Sequence, residues 1–222
     1  MMSSRALMVT LCFVGICTSP LGAAPLDLIG PDGTDSGWNA SWDESVGSIA
    51  VLAVDLDAST VRIAIEKDFG PYEGSGDDIE FPDALINFTP DEGGAAVVRI
   101  IVESETIANH TGADWSEFHW IVVPTGAAGL LVNESGGWNV APFAAKTWQD
   151  AVGNVAHHLT AHEGTVPDAA LFTPAGDLVI EADGRAAFTL KQVVVPEPSC
   201  LALLAAGALG LLRRRRRDAT SL

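Results

Sequence analysis

The chain has few cysteines and few basic residues for its length. It contains three cysteines in 222 residues, and all three lie near the ends, at Cys12, Cys17 and Cys200. The long region between them therefore has no disulfide to stabilise it and no thiol to act as a nucleophile. Twelve Lys and Arg residues stand against 29 Asp and Glu residues, a formal net charge of -17. Because binding to phosphate groups requires clustered positive charge, this balance argues against nucleic acid as a partner.

Sequence patterns of common enzyme classes are also missing. There is no Gly-x-Ser-x-Gly nucleophile elbow and no glycine-rich phosphate-binding loop. A carboxylate pair of the kind used by glycoside hydrolases stays open as an alternative, since acidic residues are abundant, but no spacing locates one. We therefore predict a protein that is not an enzyme, name no catalytic residue and expect no cofactor.

The N-terminal end has the composition of a targeting segment. Arg5 is followed by an apolar stretch from Ala6 to Cys17, and then by Pro20 and several small residues. A charged start, an apolar stretch and a small-residue cleavage site are typical of a secretory signal peptide. We predict that residues 1–24 are such a peptide and that signal peptidase removes them.

The C-terminal end combines an apolar segment with a block of positive charge. Leu201–Leu212 is a run of apolar residues and glycines, and a helix of this length spans about 18 Å against a hydrocarbon core of about 30 Å. Five arginines follow it and are expected to stay on the cytoplasmic side, which leaves the upstream region outside: Arg213, Arg214, Arg215, Arg216 and Arg217. The sequence thus predicts a short C-terminal transmembrane sorting helix and transient insertion into the inner membrane.

Pro196, Glu197 and Pro198 stand just before this segment. With the Leu/Ala/Gly-rich segment and the arginines, they resemble the PEP-CTERM sorting signal of Gram-negative bacteria. The resemblance implies recognition by exosortase, a membrane-embedded transpeptidase similar to cysteine proteases, followed by cleavage near the motif. It further implies that the ectodomain reaches the cell surface or the extracellular space. A plain C-terminal anchor with a chance Pro-Glu-Pro is the alternative.

These assignments divide the chain. The sorting signal covers residues 196–217, a cytoplasmic tail covers 218–222, and residues 25–195 form one predicted ectodomain. Its short alternating segments, such as Thr60–Lys67 with Val61 and Ile63 on one face, are separated by turns rich in Gly, Asp and Pro. Without βα alternation, this pattern predicts a mainly β fold, a single antiparallel β-sandwich of jelly-roll or immunoglobulin-like type.

Two hairpins are predicted within the ectodomain. Ser48–Leu56 is apolar on both faces, as expected of a central strand, and Asp57-Ala58-Ser59 turns the chain into the next strand. Asp183-Gly184 supplies the positive φ angles of a tight turn, so a hairpin is expected between Asp177–Ala182 and Arg185–Val195.

Alternation also assigns side chains to faces elsewhere. Ala95–Thr106 places Ile100 and Val102 on one face of a strand and Glu103 and Glu105 on the other. Residues 107–120 resemble a strand-turn-strand pattern seen in PEP-CTERM ectodomains, with turn residues Asn109 and Gly112 before the large core candidates Trp115, Phe118 and Trp120.

One helix is predicted, over Ala144–Leu159, because Trp148, Val152 and Val155 recur at helical spacing. If the helix continues, His158 and His162 lie on one face four residues apart and are the first candidates for a metal site. The interpretation favoured here is that they are polar residues at an exposed helix end.

Two further sets of residues are weaker binding candidates. Asp32 and Asp35 lie in an acidic loop that offers oxygen ligands for a structural calcium ion, although its spacing is not that of an EF-hand. Trp38 and Trp138 are candidates for a sugar-stacking platform, which would make the ectodomain a carbohydrate-binding module associated with extracellular polysaccharide. We expect instead a structural or interaction protein, with a glycan-active hydrolase as the third possibility.

Overall fold

The computed structural model describes residues 25–42, 47–71, 83–91, 97–124, 128–182 and 186–197. The predicted signal peptide, Pro198, the apolar sorting segment and the arginine block lie outside these ranges. Within them the chain forms fourteen strands and one short 3-10 helix, Glu134–Gly137. The strands are β1 Leu26–Ile29, β2 Asp35–Ser41, β3 Gly47–Asp55, β4 Thr60–Phe69, β5 Asp83–Pro90, β6 Arg99–Asn109, β7 Trp115–Val123, β8 Ala128–Leu131, β9 Ala145–Gln149, β10 Val155–Ala156, β11 His158–His162, β12 Leu171–Phe172, β13 Ala175–Ala182 and β14 Phe188–Pro196.

The strands form two sheets, which confirms the prediction of a mainly β protein. Sheet I has the order β1-β2-β5-β14-β7-β11-β9, and sheet II has the order β10-β8-β13-β6-β4-β3 with β12 added beside β6. The pairing of β4 with β6 is parallel, and every other strand pair is antiparallel. Sheet II is therefore mixed, which corrects the expectation of a purely antiparallel fold.

Side chains of both sheets meet in one hydrophobic core. Alternate positions of the strands point inward, as the period of two requires, so that one face of each sheet supplies the core. Large residues fill it, and Phe172 of sheet II packs against two aromatic rings of sheet I, edge-on with Phe118 and tilted with Trp120. The fully buried large side chains include Trp38, Trp115, Phe118, Trp120 and Trp138 with Ile63, Ile65, Ile100 and Ile107.

The turn at Asp57-Ala58-Ser59 is confirmed, because β3 and β4 form an antiparallel pair in which Asp55 lies opposite Thr60, next to the turn. The assignment of Ser48–Leu56 to a central strand is wrong. β3 lies at the edge of sheet II, and Ile49 is its only buried residue. Apolar residues on both faces of a segment do not reveal how many neighbours that strand has, so the pattern could not separate an edge from a centre.

An irregularity in β6 reverses the predicted position of Glu105. Ile63 pairs with Val102 and the next residue of β4 pairs with Ser104, so Glu103 is an extra residue in the strand. An inserted residue shifts the alternation by one, and the residues after it change face. Glu105 therefore points into the core and is 1% exposed, not outward as alternation from Ile100 predicts.

The turn predicted around Asn109 and Gly112 is confirmed, and it joins β6 of sheet II to β7 of sheet I. Asn109 is buried and its amide donates to the carbonyl oxygens of Ala113 and Val166 at 2.9 and 3.0 Å. Gly112 has φ +81°, a conformation that favours glycine. The indole of Trp115 donates to the Thr111 hydroxyl, so the turn and the core residue are held together.

The helix predicted over Ala144–Leu159 is wrong, because this region forms β9, β10 and the start of β11. The hydrophobic residues at helical spacing do not share a buried face, since Val152 is 80% exposed while Leu159 is buried. Pairing of β11 with β7 on one side and β9 on the other satisfies its backbone groups, and this long-range pairing overrides the local pattern.

The hairpin predicted at Asp183-Gly184 is wrong as well. β13 pairs with β6 and β8 in sheet II, whereas β14 pairs with β5 and β7 in sheet I. The two strands therefore belong to different sheets and do not form a hairpin, while Asp183 and Gly184 themselves lie outside the described residues. Within the described ranges, no helix is long and apolar enough to cross a membrane.

Candidate functional site

The first candidate site is the point where the predicted sorting signal meets the folded domain. Pro196 is the last residue of β14 and pairs with Trp115 of β7. The backbone N–H of Glu197 donates to the Asp114 carbonyl oxygen at 2.8 Å, and the Thr165 hydroxyl donates to the Glu197 carboxylate at 2.5 Å. Two of the three Pro-Glu-Pro residues are thus in contact with the domain, and no linker separates the motif from the last strand.

A second polar site lies on the outer face of sheet I. Phe118 and Trp120 of β7 point into the core, so Glu117 and His119, which alternate with them, point outward. β11 pairs with β7 so that Thr160 is opposite His119, and His158 lies two residues away on the same face. The fold thereby brings together side chains that are far apart in sequence.

The ring nitrogens of two histidines meet at this site. His119 Nδ1 is 2.7 Å from His158 Nε2, and the Thr160 hydroxyl oxygen is 3.3 and 3.2 Å from the same two nitrogens. The other nitrogen of His119, Nε2, is 3.1 Å from a Glu117 carboxylate oxygen. The Gln149 amide of β9 donates to the Thr160 hydroxyl at 3.1 Å. We call these five residues the histidine cluster.

The environment of the histidine cluster favours neutral imidazoles. Partial burial lowers the pKa of His119, and the nearby Glu117 carboxylate only partly opposes this effect. Burial also lowers the pKa of His158, and repulsion from His119 lowers it further. Both rings therefore keep a lone pair available for hydrogen bonding or for coordination at neutral pH.

The predicted pair of His158 and His162 does not come together. In a strand the two residues share a face but lie about 13 Å apart, because each residue advances the chain by about 3.3 Å. His162 Nε2 instead lies 2.7 Å from the Thr147 hydroxyl of β9. Among the described residues, no group of three or more His, Cys, Asp or Glu side chains is arranged to hold a metal ion.

The two predicted aspartates serve the local turn. The Asp32 carboxylate accepts hydrogen bonds from the Thr34 backbone N–H and hydroxyl, and these bonds lower the pKa of Asp32. The Asp35 carboxylate accepts from the Gly37 backbone N–H at 2.8 Å. Both therefore have structural partners in the turn, and a structural calcium ion stays a prediction.

The two predicted sugar-stacking tryptophans lie in the core, which corrects that interpretation. Trp38 is 0% exposed and its indole donates to the Val97 carbonyl oxygen at 2.8 Å, while Trp138 is 1% exposed. A stacking platform must present a ring face to solvent, and neither residue does so. Large aromatic residues are the main source of core volume, and sequence spacing alone does not distinguish that use from ligand binding.

The sequence analysis missed His119, Glu117 and Thr160. One signal was available, since the alternation of Glu117 and His119 with Phe118 and Trp120 places the first two on an outward face. Their meeting with His158 depends on the pairing of β7 with β11, two strands separated by some 35 residues of chain. No local pattern encodes that pairing.

Comparison with known families identifies the C-terminal end of the chain. The family model described as the PEP-CTERM protein-sorting motif matches residues 194–217, which begins inside β14 and includes Pro196, Glu197 and Pro198. This match places the chain among proteins that carry a C-terminal sorting signal. The chain is a PEP-CTERM domain-containing protein, and its motif indicates an exported protein targeted to exosortase. No curated protein and no solved structure matches the chain significantly.

Proposed function

We propose that this protein is an exported precursor whose β-sandwich ectodomain acts without catalysis, as a structural or interaction protein at the cell surface or in the extracellular matrix. The observation that carries the proposal is the direct connection of β14 to the sorting motif. Because Pro196 ends a strand of sheet I, the folded domain itself is the cargo that the motif directs. An exosortase-type enzyme is the processing partner, after signal peptidase has acted at the other end.

The composition of the cargo supports an extracellular role. Residues 24–195 contain 27 acidic residues against six basic ones and no cysteine, so the domain folds without disulfide formation. Its negative charge favours solubility and association with cations, and it opposes contact with anionic surfaces. Since Trp38 and Trp138 are buried, they do not support binding to polysaccharide.

The sorting step can be tested with a tag at the C-terminal end and an antibody against the ectodomain. We expect the ectodomain to reach the outside without the tag, and its C-terminus, located by mass spectrometry, to fall at or near residues 196–198. A surface protein that retains the tag would show that the motif is a plain anchor.

Two variants separate recognition of the motif from its contact with the domain. Glu197→Ala removes the acidic residue of Pro-Glu-Pro, and we expect uncleaved, tagged precursor to accumulate. Thr165→Ala removes only the hydrogen bond to Glu197 and leaves the motif intact, so it is the matched control and should be processed normally. Normal processing of Glu197→Ala, or a block in Thr165→Ala alone, would contradict recognition of the motif itself.

A further inference from the structure

The histidine cluster brings the polar side-chain atoms of two histidines and a threonine close together on the outer face of sheet I. His119 Nδ1 and His158 Nε2 point at each other at 2.7 Å, and the Thr160 hydroxyl lies at similar distances from both. Three donor atoms from three positions on two paired strands thus converge on one point of the sheet. We propose that His119 and His158, with Thr160, bind a divalent transition-metal ion on the outer face of sheet I.

The size of the donor triangle suits such an ion. Zinc and similar ions bind imidazole nitrogen at about 2.0–2.1 Å. Given separations of 2.7, 3.2 and 3.3 Å, a point about 2 Å from all three atoms exists, displaced by about 1 Å from their plane. This point lies off the line that joins the two nitrogens, so both imidazole rings must turn to direct their lone pairs at the metal, and one side of the triangle is left for water.

Glu117 orients the first of these ligands. Its carboxylate lies 3.1 Å from His119 Nε2 and accepts that nitrogen's proton in a hydrogen bond, which leaves the lone pair on Nδ1 facing His158. A carboxylate behind a histidine ring is the usual partner of a metal-binding imidazole, because it fixes the tautomer and increases the basicity of the ligand. Glu117 is thus a positioning residue and not a ligand.

The metal-free protein must place one proton between the two rings. With His119 Nδ1 as the acceptor, His158 donates from Nε2 at 2.7 Å. Metal binding replaces this proton, which moves to Nδ1 of His158, so both coordinating nitrogens present lone pairs. The change requires no charged imidazole and is compatible with the partly buried setting of both rings.

Two imidazole nitrogens and a hydroxyl select the kind of ion. Hard cations such as calcium and magnesium require several oxygen ligands, whereas imidazole suits zinc, copper and nickel. Within this group the affinity of a given site is highest for Cu²⁺. We therefore expect Cu²⁺ to bind more tightly than Zn²⁺ or Ni²⁺, and Ca²⁺ not to bind at this cluster.

The experiment uses the full chain with Cys12, Cys17 and Cys200 changed to serine, purified in detergent without a histidine tag, so that no thiol or tag competes. Titration with Cu²⁺ should show one site per chain by calorimetry. The electron paramagnetic resonance spectrum should show coupling to two imidazole nitrogens. His119→Gln and His158→Gln should each weaken binding by at least about tenfold and remove the coupling to two nitrogens. Glu117→Gln should also weaken binding about tenfold, but the coupling to two nitrogens should remain.

His162→Gln is the matched control, since His162 lies on the same strand and face but bonds Thr147 instead. It should bind Cu²⁺ as tightly as the unaltered chain. Thermal melts of each metal-free variant establish that the fold is retained, so that a loss of binding reports the site. Absence of Cu²⁺ and Zn²⁺ binding, or binding by His119→Gln and His158→Gln that is as tight as that of the unaltered chain, would overturn the proposal.

Discussion

Strand β7 carries two polar clusters of different character on its two faces. On the inner face, Trp120 donates from its indole to the Glu105 carboxylate at 2.9 Å, and Gln192 and Lys67 donate to the same group at 2.6 and 3.4 Å. On the outer face, His119 and Glu117 belong to the histidine cluster. The inner carboxylate has several partners and side-chain exposure of 0%, whereas His119 retains 16% exposure.

This difference separates two uses of polar residues in one strand. The inner cluster connects β4 and β6 of sheet II with β7 and β14 of sheet I, so it fixes how the two sheets face each other. A buried carboxylate without partners is costly, and its partners must therefore stay in place. The outer cluster joins neighbouring strands of a single sheet and can rearrange around a ligand without separating the sheets.

The largest expected effect comes from removing the inner carboxylate. Glu105→Ala leaves Lys67 buried without its counter-charge and leaves the Trp120 indole without its acceptor, so we expect a loss of about 3–5 kcal/mol in the free energy of unfolding. Urea denaturation measures this loss. Glu103→Ala, two residues away in the same strand but 47% exposed, is the control and should cost less than about 1 kcal/mol. Equal losses for the two variants would show that the inner cluster does not join the sheets.

A smaller effect is expected from the buried lysine when the pH changes. Burial lowers the pKa of Lys67 below its usual value near 10.5, and Glu105 only partly opposes this shift. Between the folded and unfolded pKa values, the unfolded chain binds more protons, so stability should rise with pH up to the unfolded pKa near 10.5. Urea midpoints measured at increasing pH should show this rise, and Lys67→Met should reduce it. If the urea midpoint of Lys67→Met rises with pH as steeply as that of the unaltered chain, the pKa of Lys67 is at its ordinary value.

The smallest effect is expected on the outer face. His119→Gln keeps a polar side chain at a partly exposed position, so its metal-free form should lose only about 1 kcal/mol of unfolding free energy. The same urea measurement applies. A loss as large as that of Glu105→Ala would mean that the outer cluster contributes as much to the stability of the fold as the inner cluster does.

The sequence predicted what local patterns can encode. Alternation identified β4 and the inward direction of Ile63, and the turns at Asp57-Ala58-Ser59 and Asn109 were recognised from their residue types. The fully buried Trp115, Phe118 and Trp120 were also identified as core residues. These features depend on neighbouring residues in the chain and on side-chain size, both of which are visible without the fold.

The errors share one physical origin, which is pairing between distant segments. Glu105 was assigned to the wrong face because a single extra residue in β6 shifts the alternation. The region of β9, β10 and the start of β11 was assigned to a helix because local spacing does not show that β11 pairs with β7 and β9. The histidine cluster was missed for the same reason, since His119 and His158 meet only across a strand pair. The sorting signal needed no fold, because its recognition depends on contiguous residues.

The position of β14 has a mechanical consequence. It is the fourth of seven strands in sheet I, with β5 on one side and β7 on the other, and the chain leaves it at the sorting motif. Tension applied through that end along the strand would be shared by hydrogen bonds to β5, which pairs with Phe188–Val193, and to β7, which pairs with Thr189–Pro196. An edge strand such as β9 has hydrogen bonds to one neighbouring strand. The domain is therefore held from the point in the sheet where pulling is least able to extract a strand.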